Sequence, residues 1–110
     1  MAQCSNYRDS INILLIDDDE DYLILFQEAL KEGNIANKIY TAKSGSEGLD
    51  FLFKRGQYKD APDIGLVFLD IVMPGMSGFD VLKEIRKNPS FVHLPVVVIT
   101  SISTDLEKIE

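Results

Sequence analysis

The amino-acid sequence predicts an α/β fold built on a doubly wound parallel sheet. Short apolar runs alternate along the chain with segments in which apolar residues recur at helical spacing. Two of these runs, residues 11–16 and 65–69, continue directly into carboxylates at Asp17 and Asp70. Short β-branched runs are typical of buried parallel strands, and ligands bind at the carboxyl ends of such strands. We therefore expect strands joined by helical crossovers, with a polar site at one edge of the sheet.

The first half of the chain predicts two strands, at residues 11–16 and 38–42, each followed by a helix. The first helix places five apolar side chains at helical spacing and ends near Gly33, a common stop signal. Those side chains are Tyr22, Leu25, Phe26, Ala29 and Leu30. Ser44 and Glu47 have the spacing of a capping box, which predicts the start of the second helix. Its apolar face carries Leu49, Leu52 and Phe53.

The second half repeats the pattern with strands at residues 65–69 and 94–99. A turn at Pro74 follows the third strand, and Ser77 is placed to cap a third helix that ends before Pro89. The apolar face of that helix carries Val81, Leu82 and Ile85. Because residues 94–99 are apolar throughout, we expect the fourth strand to be central in the sheet rather than at its edge.

Composition limits the class of protein. The chain has 110 residues, which is the length of one domain, and we expect one domain over residues 1–110. Its net charge of −7 argues against nucleic-acid binding, which needs a basic face. The single cysteine, Cys4, allows no internal disulfide. We see neither a signal peptide nor an apolar stretch of membrane-spanning length, so we expect a cytoplasmic location without membrane contact.

The carboxylates at the strand ends predict a metal site. Asp17 and Asp18 follow the first strand, and Asp70 follows the third. Neighbouring parallel strands bring their carboxyl ends to one place, where clustered negative charge is unfavourable unless a cation lies between the carboxylates. Magnesium prefers a few carboxylates together with water. The sequence therefore predicts a Mg²⁺ site that contains a reactive Asp.

The acidic run at residues 17–21 allows three other interpretations. Asp17, Asp19, Asp21 and Glu28 fall at ligand positions of a calcium-binding EF-hand loop, but Tyr22 stands where that loop needs Gly. A phosphatase of the haloacid-dehalogenase type would use Asp17 and Asp19, but its further acidic motif has no candidate in the sequence. Asp18 or Asp19 could instead serve only to cap the first helix. The first two interpretations fit poorly, and we do not expect capping to be the whole role of the acidic run.

Three segments together resemble the receiver domain of two-component response regulators: LLIDDDED, VFLDIVMPGMSGFDVL and LPVVVITS. The resemblance covers nearly the whole chain. It implies a strand order of 2-1-3-4 and assigns Asp70 as the phosphoacceptor. It also implies that Asp18, Asp70 and the backbone carbonyl of Val72 bind Mg²⁺, while Asp17 acts mainly through metal-bound water. Thr100 would be the switch hydroxyl that turns toward the phosphoryl group.

The same resemblance implies the function. A sensor histidine kinase or a histidine phosphotransfer protein would donate the phosphoryl group, and the chain would be a self-phosphorylating acceptor rather than an enzyme. The long polar connection at residues 55–64 is similar to that of stand-alone receivers, some of which serve phytochrome-type histidine kinases. The family's fifth strand, which ends in Lys, and its fifth helix do not follow, so a C-terminally truncated domain that forms a homodimer or strand-exchanged oligomer is expected. The alternative is a receiver-like interaction module that is not phosphorylated.

Overall fold

The computed structural model describes residues 11–99 of the chain. Four short strands alternate with three α-helices along this part of the sequence. The strands are β1 (Ile13–Ile16), β2 (Ile39–Ala42), β3 (Leu66–Asp70) and β4 (Val96–Ile99). The helices are α1 (Glu20–Glu32), α2 (Gly45–Phe53) and α3 (Gly78–Lys87), and single 3-10 turns occur at Gly56–Tyr58 and Pro89–Phe91. Each strand lies within the segment that the sequence predicts, apart from one residue added to the end of β3.

The strands form one parallel sheet in the order β2-β1-β3-β4, which confirms the predicted fold class. β1 is therefore flanked by β2 and β3. In the register, Ile16 of β1 is opposite Leu69 of β3, and Asp70 is opposite Ile99 of β4. Since β1 and β3 are direct neighbours, the residues that follow them along the chain meet at the same edge of the sheet.

Helices cover both faces of the sheet. On one face, alternate side chains of β1 and β3 pack with α2 and α3 in the larger core, which includes Leu14, Val67, Leu69 and Ile85. On the other face, Leu15 and its neighbours form a smaller core with Leu23 of α1. Phe26 of α1 meets Phe68 of β3 edge to face, with ring centroids 4.9 Å apart. This two-sided arrangement explains why the strands are apolar throughout rather than alternating.

The predicted apolar face of α1 was partly wrong. Leu23 is the buried residue of this helix, and Phe26 packs beside it in the smaller core. Leu25, which was expected to face the sheet, is 63% exposed, and Ile24 is also exposed. Apolar residues occupy more than one side of this helix, so their spacing alone could not decide which side meets the sheet.

The helix starts follow local capping rules. Ser77 accepts a hydrogen bond from the Asp80 amide, and the Asp80 carboxylate accepts one from the Ser77 amide, which makes a full capping box at α3. At α2, Ser44 accepts from the Glu47 amide as predicted. The Glu47 carboxylate instead accepts from the Lys43 amide, 2.9 Å away. The predicted box at α2 is therefore formed in one direction only.

β4 does not have the predicted central place. In the sheet formed by residues 11–99 it is an edge strand, and Val97 is exposed. The apolar run of residues 94–99 reflects contact on the faces of the strand, which does not reveal how many strands flank it. The expected pairing of this edge with another chain stays a prediction. Among the helices of residues 11–99, none is long and apolar enough to cross a membrane.

Candidate metal centre

The structure brings three of the predicted site residues together. One carboxylate oxygen from each of Asp17, Asp18 and Asp70 lies within 4.8 Å of the others. Asp17 and Asp18 directly follow β1, and Asp70 ends β3. Because Ile16 and Leu69 are opposite each other in the register, the residues after them must meet at the carboxyl edge of the sheet. The meeting of these carboxylates is thus a direct consequence of the strand order.

Hydrogen bonds fix both the side chain and the backbone of Asp17. Its side chain is 5% exposed, and one carboxylate oxygen accepts a hydrogen bond from the Asp19 amide at 2.9 Å. Its own amide donates to the carbonyl of Ala42 at the end of β2, at 3.0 Å. These contacts fix the backbone and the side chain of Asp17 at the junction of two strands.

Neighbouring residues of the acidic run after β1 have different roles. Asp19 is the N-cap of α1, and its carboxylate accepts from the amides of Asp21 and Tyr22 at 3.0 and 3.4 Å. Asp18 is exposed and contributes to the carboxylate cluster. The capping interpretation of this run therefore holds for Asp19, whereas it does not account for Asp17 or Asp18.

Asp70 is 4% exposed, and it is paired with Ile99 of β4 in the sheet. The Ile71 amide that follows it donates to the carbonyl of Ile99 at 3.1 Å. The Val72 amide lies 3.4 Å from a carboxylate oxygen of Asp70 and donates to it. Val72 itself is 40% exposed. The assignment of the Val72 carbonyl as a metal ligand stays a prediction, and Thr100 lies outside the described residues.

The electrostatics of the cluster call for a cation. The pKa of Asp17 is raised from 3.8 to about 6, mainly by burial and also by the nearby charges of Asp70, Asp18 and Asp19, against the lowering effect of the hydrogen bond from the Asp19 amide. A buried carboxylate among other carboxylates is costly to ionise unless a positive charge compensates. Three carboxylates that converge within 4.8 Å match the oxygen ligands and small ligand number that Mg²⁺ prefers. The residues present therefore fit a magnesium ion.

One residue near the site was missed by the sequence interpretation. Tyr22, expected only as part of an apolar helix face, lines a cavity together with Asp17, Asp70 and Ile99. Burial raises the pKa of Tyr22, and the charges of Asp17 and Asp70 add to this effect. The signal available in the sequence was its position one turn after the acidic pair, at the start of a helix whose phase the apolar pattern left uncertain.

The fold and this acidic site are those of a phosphorelay signalling module. The family model of the response regulator receiver domain matches residues 13–110, and the chain belongs to this family. Receiver domains act in phosphorelay signalling, interact with histidine kinases or phosphotransfer proteins, and bind Mg²⁺ at an acidic pocket. The chain is thus a receiver domain of the response-regulator family, as the motifs predicted.

Among curated proteins, the chain is 36% identical over 89 residues to the response regulator Rcp1 of Synechocystis sp.. It is 32% identical over 101 residues to the response regulator PleD of Caulobacter vibrioides. These matches cover 81% and 92% of the chain. They span 60% of Rcp1 and 20% of PleD, so the chain corresponds to only part of each relative.

Solved structures give the same result. The structure of the bacteriophytochrome response regulator AtBRR superposes with a TM-score of 0.78 at 33% identity, over 90% of this chain and 74% of that one. The Mn²⁺-bound form of Rcp1 superposes with a TM-score of 0.77 at 35% identity, over 83% of this chain and 66% of that one. Both the fold and the predicted resemblance to phytochrome-associated response regulators are confirmed.

Proposed function

We propose that this receiver domain accepts a phosphoryl group on Asp70 in a Mg²⁺-dependent reaction. The observation that carries the proposal is the convergence of the Asp17, Asp18 and Asp70 carboxylates within 4.8 Å at the carboxyl edge of the sheet. An ionised Asp is a competent nucleophile toward phosphorus, and two further carboxylates beside it supply the ligands for a divalent cation. We also propose that residues 1–110 form one receiver domain.

The proposed phosphoryl transfer forms one bond and breaks one bond. A carboxylate oxygen of Asp70 attacks the phosphorus of a phosphohistidine, forming an acyl-phosphate O–P bond. The P–N bond breaks, its electron pair returns to the imidazole nitrogen, and that nitrogen takes up a proton. The Val72 amide, which donates to the Asp70 carboxylate at 3.4 Å, orients the attacking group. No redox step or additional co-reactant is needed.

The metal would be held by the residues around Asp70. We assign the Asp18 and Asp70 carboxylates and the Val72 carbonyl as direct ligands, and Asp17 as a ligand that acts mainly through bound water. When bound, Mg²⁺ neutralises the negative charge between the attacking carboxylate and the phosphoryl oxygens. The burial of Asp17 and Asp70 supports this assignment, because it removes the water that would otherwise screen their charges.

We further propose Thr100 as the hydroxyl that conveys phosphorylation, since it directly follows the end of β4, whose residue Ile99 is paired with Asp70. The donor is proposed to be a sensor histidine kinase or a histidine phosphotransfer protein. The likeness to Rcp1 and to AtBRR, a bacteriophytochrome response regulator, favours a kinase of the phytochrome type. The chain would act as a phosphoacceptor with slow self-dephosphorylation at most.

The test is intact mass spectrometry after incubation with acetyl phosphate and Mg²⁺. We expect the wild-type protein to gain the mass of one phosphoryl group and Asp70→Asn to gain none. Chelation of the metal with EDTA should suppress the gain. The alternative, a receiver-like interaction module without phosphorylation, is favoured by none of the described contacts. It would require that wild-type protein remain unmodified under conditions in which Mg²⁺ is bound.

A further inference from the structure

The start of α3 packs directly on the backbone that follows Asp70. The Gly78 amide donates a hydrogen bond to the carbonyl of Ile71, 2.8 Å away. A Cβ atom on Gly78 would lie 2.4 Å from the Asp70 carbonyl oxygen and 2.8 Å from the Ile71 Cα. Both atoms belong to the backbone, so they cannot turn aside as a side chain could. Any side chain at position 78 must push the helix and the Asp70 segment apart by several tenths of an ångström.

The same backbone segment is also hydrogen-bonded to β4. The Ile71 amide donates to the Ile99 carbonyl at 3.1 Å, and Asp70 is opposite Ile99 in the sheet register. The peptide between Asp70 and Ile71 is therefore fixed between β4 and the first residue of α3. A displacement imposed at Gly78 would be transmitted to the residue that carries the buried carboxylate.

We propose that Gly78 is a positioning residue for the acidic site. Its lack of a side chain lets α3 begin in contact with the Asp70–Ile71 backbone and so places the Asp70 carboxylate and the Val72 carbonyl relative to Asp17 and Asp18. The proposal rests on the metal site of the proposed function. It assigns to Gly78 a role that is separate from the folding of the helix, which is capped by Ser77.

Magnesium makes this role measurable. Mg²⁺ tolerates little departure from octahedral geometry, with ligand distances of about 2.0–2.1 Å. Changes in the groups that orient metal ligands typically cost about 10–100-fold in metal affinity. A shift of several tenths of an ångström in the Asp70 segment should therefore weaken Mg²⁺ binding by about 10-fold. General destabilisation of the fold would not alter the affinity of the molecules that remain folded.

The chain offers a matched control at the other end of β3. A Cβ on Gly65 would also meet an atom at 2.4 Å, but that atom is Cγ2 of the Ile11 side chain, which can rotate. Gly65 precedes β3, whereas Asp70 ends it, so the two substitutions perturb opposite ends of the same strand. Gly65→Ala therefore adds the same methyl group at a similarly tight contact away from the acidic site.

The experiment measures Mg²⁺ affinity by calorimetry and metal-free stability by urea unfolding in wild type, Gly78→Ala and Gly65→Ala. We expect Gly78→Ala to bind Mg²⁺ about 10-fold more weakly, and Gly65→Ala to keep the wild-type affinity. Equal affinities in wild type and folded Gly78→Ala would overturn the positioning role alone. A wild-type protein that shows no Mg²⁺ binding would instead refute the proposed metal site.

A second measurement uses only the wild-type chain, in case Gly78→Ala does not fold. If the contact positions the metal ligands, linkage requires that metal binding stabilise the contact in return. Hydrogen exchange of the Gly78 amide should then slow in saturating Mg²⁺ by a larger factor than exchange of the Gly65 amide, which donates to Asn12 at the far end of the strand. Equal slowing of the two amides would overturn the proposal.

Discussion

Replacing Asp17 with Asn should stabilise the metal-free protein at neutral pH. Asp17 is 5% exposed, and its pKa is raised to about 6 by burial and by the neighbouring carboxylates. Asn is nearly the same size and keeps an oxygen that can accept the Asp19 amide, which now lies 2.9 Å from the carboxylate. The substitution therefore removes the buried charge while it preserves packing and the hydrogen bond.

The magnitude follows from the change in pKa. A rise from 3.8 to about 6 on folding corresponds to about 3 kcal/mol. Because the folded pKa is raised, this stability is fully present below pH 3.8 and is lost as the pH rises through about 6. Metal-free wild type should thus gain stability as the pH falls from neutral to about 5, whereas Asp17→Asn should change little in that window. We expect the variant to be about 2 kcal/mol more stable than wild type at neutral pH, after allowance for relaxation around the charge.

The assay is urea unfolding in EDTA at neutral pH and near pH 5, with Asp60→Asn as the control for removal of an exposed carboxylate. Adding millimolar Mg²⁺ should stabilise wild type by mass action and leave Asp17→Asn with a much smaller gain. If metal-free Asp17→Asn were no more stable than wild type at neutral pH, the buried-charge argument would be wrong. A gain of similar size in Asp60→Asn would also contradict it.

Three further predictions concern neighbouring parts of the molecule. Asp18→Asn should abolish most of the rise in melting temperature that Mg²⁺ causes in wild type, and a full rise would contradict its role as a ligand. Val72→Asn should speed the loss of the phosphoryl group, because the exposed apolar side chain of Val72 offers no hydrogen bond to an attacking water. The control Val92→Asn, at an exposed position before β4, should leave the rate of loss unchanged. Equal rates of decay in the two variants, measured by mass spectrometry, would refute this prediction. Ser77→Ala should lower the free energy of unfolding by about 1 kcal/mol through loss of the α3 cap, and the exposed Ser46→Ala should change it much less in urea unfolding.

The acidic site could be predicted because it depends on strand order more than on side-chain detail. Once β1 and β3 are neighbours in a parallel sheet, Asp17 and Asp70 must meet at its carboxyl edge. The predicted strands were recovered for a related reason, since their apolar runs differ clearly from the helical segments between them. The N-cap role of Asp19, by contrast, could not be separated from Asp18 until the start of α1 was known.

The wrong predictions concern apolar residues, because an apolar side chain does not by itself indicate what it packs against. Leu23 and Leu25 are chemically identical, and only packing against the sheet reveals that Leu23 is buried and Leu25 exposed. The family resemblance implied the order 2-1-3-4 that residues 11–99 show, but the apolar run alone wrongly predicted a central β4, because apolar side chains indicate contact on the faces of a strand and not the number of its neighbours. The close approach of Gly78 to the Asp70 backbone depends on distances of a few tenths of an ångström, which no sequence pattern encodes.

Phosphorylation of Asp70 is tested most directly by trapping the phosphoryl group on the residue that carries it. Borohydride reduces an aspartyl phosphate to homoserine, and peptide mass mapping then identifies which Asp was modified. After incubation with acetyl phosphate and Mg²⁺, we predict homoserine at position 70 and none at Asp17 or Asp18, with the signal lost in EDTA. Modification at Asp17 or Asp18 in place of Asp70, or no modification while Mg²⁺ is bound, would contradict the account.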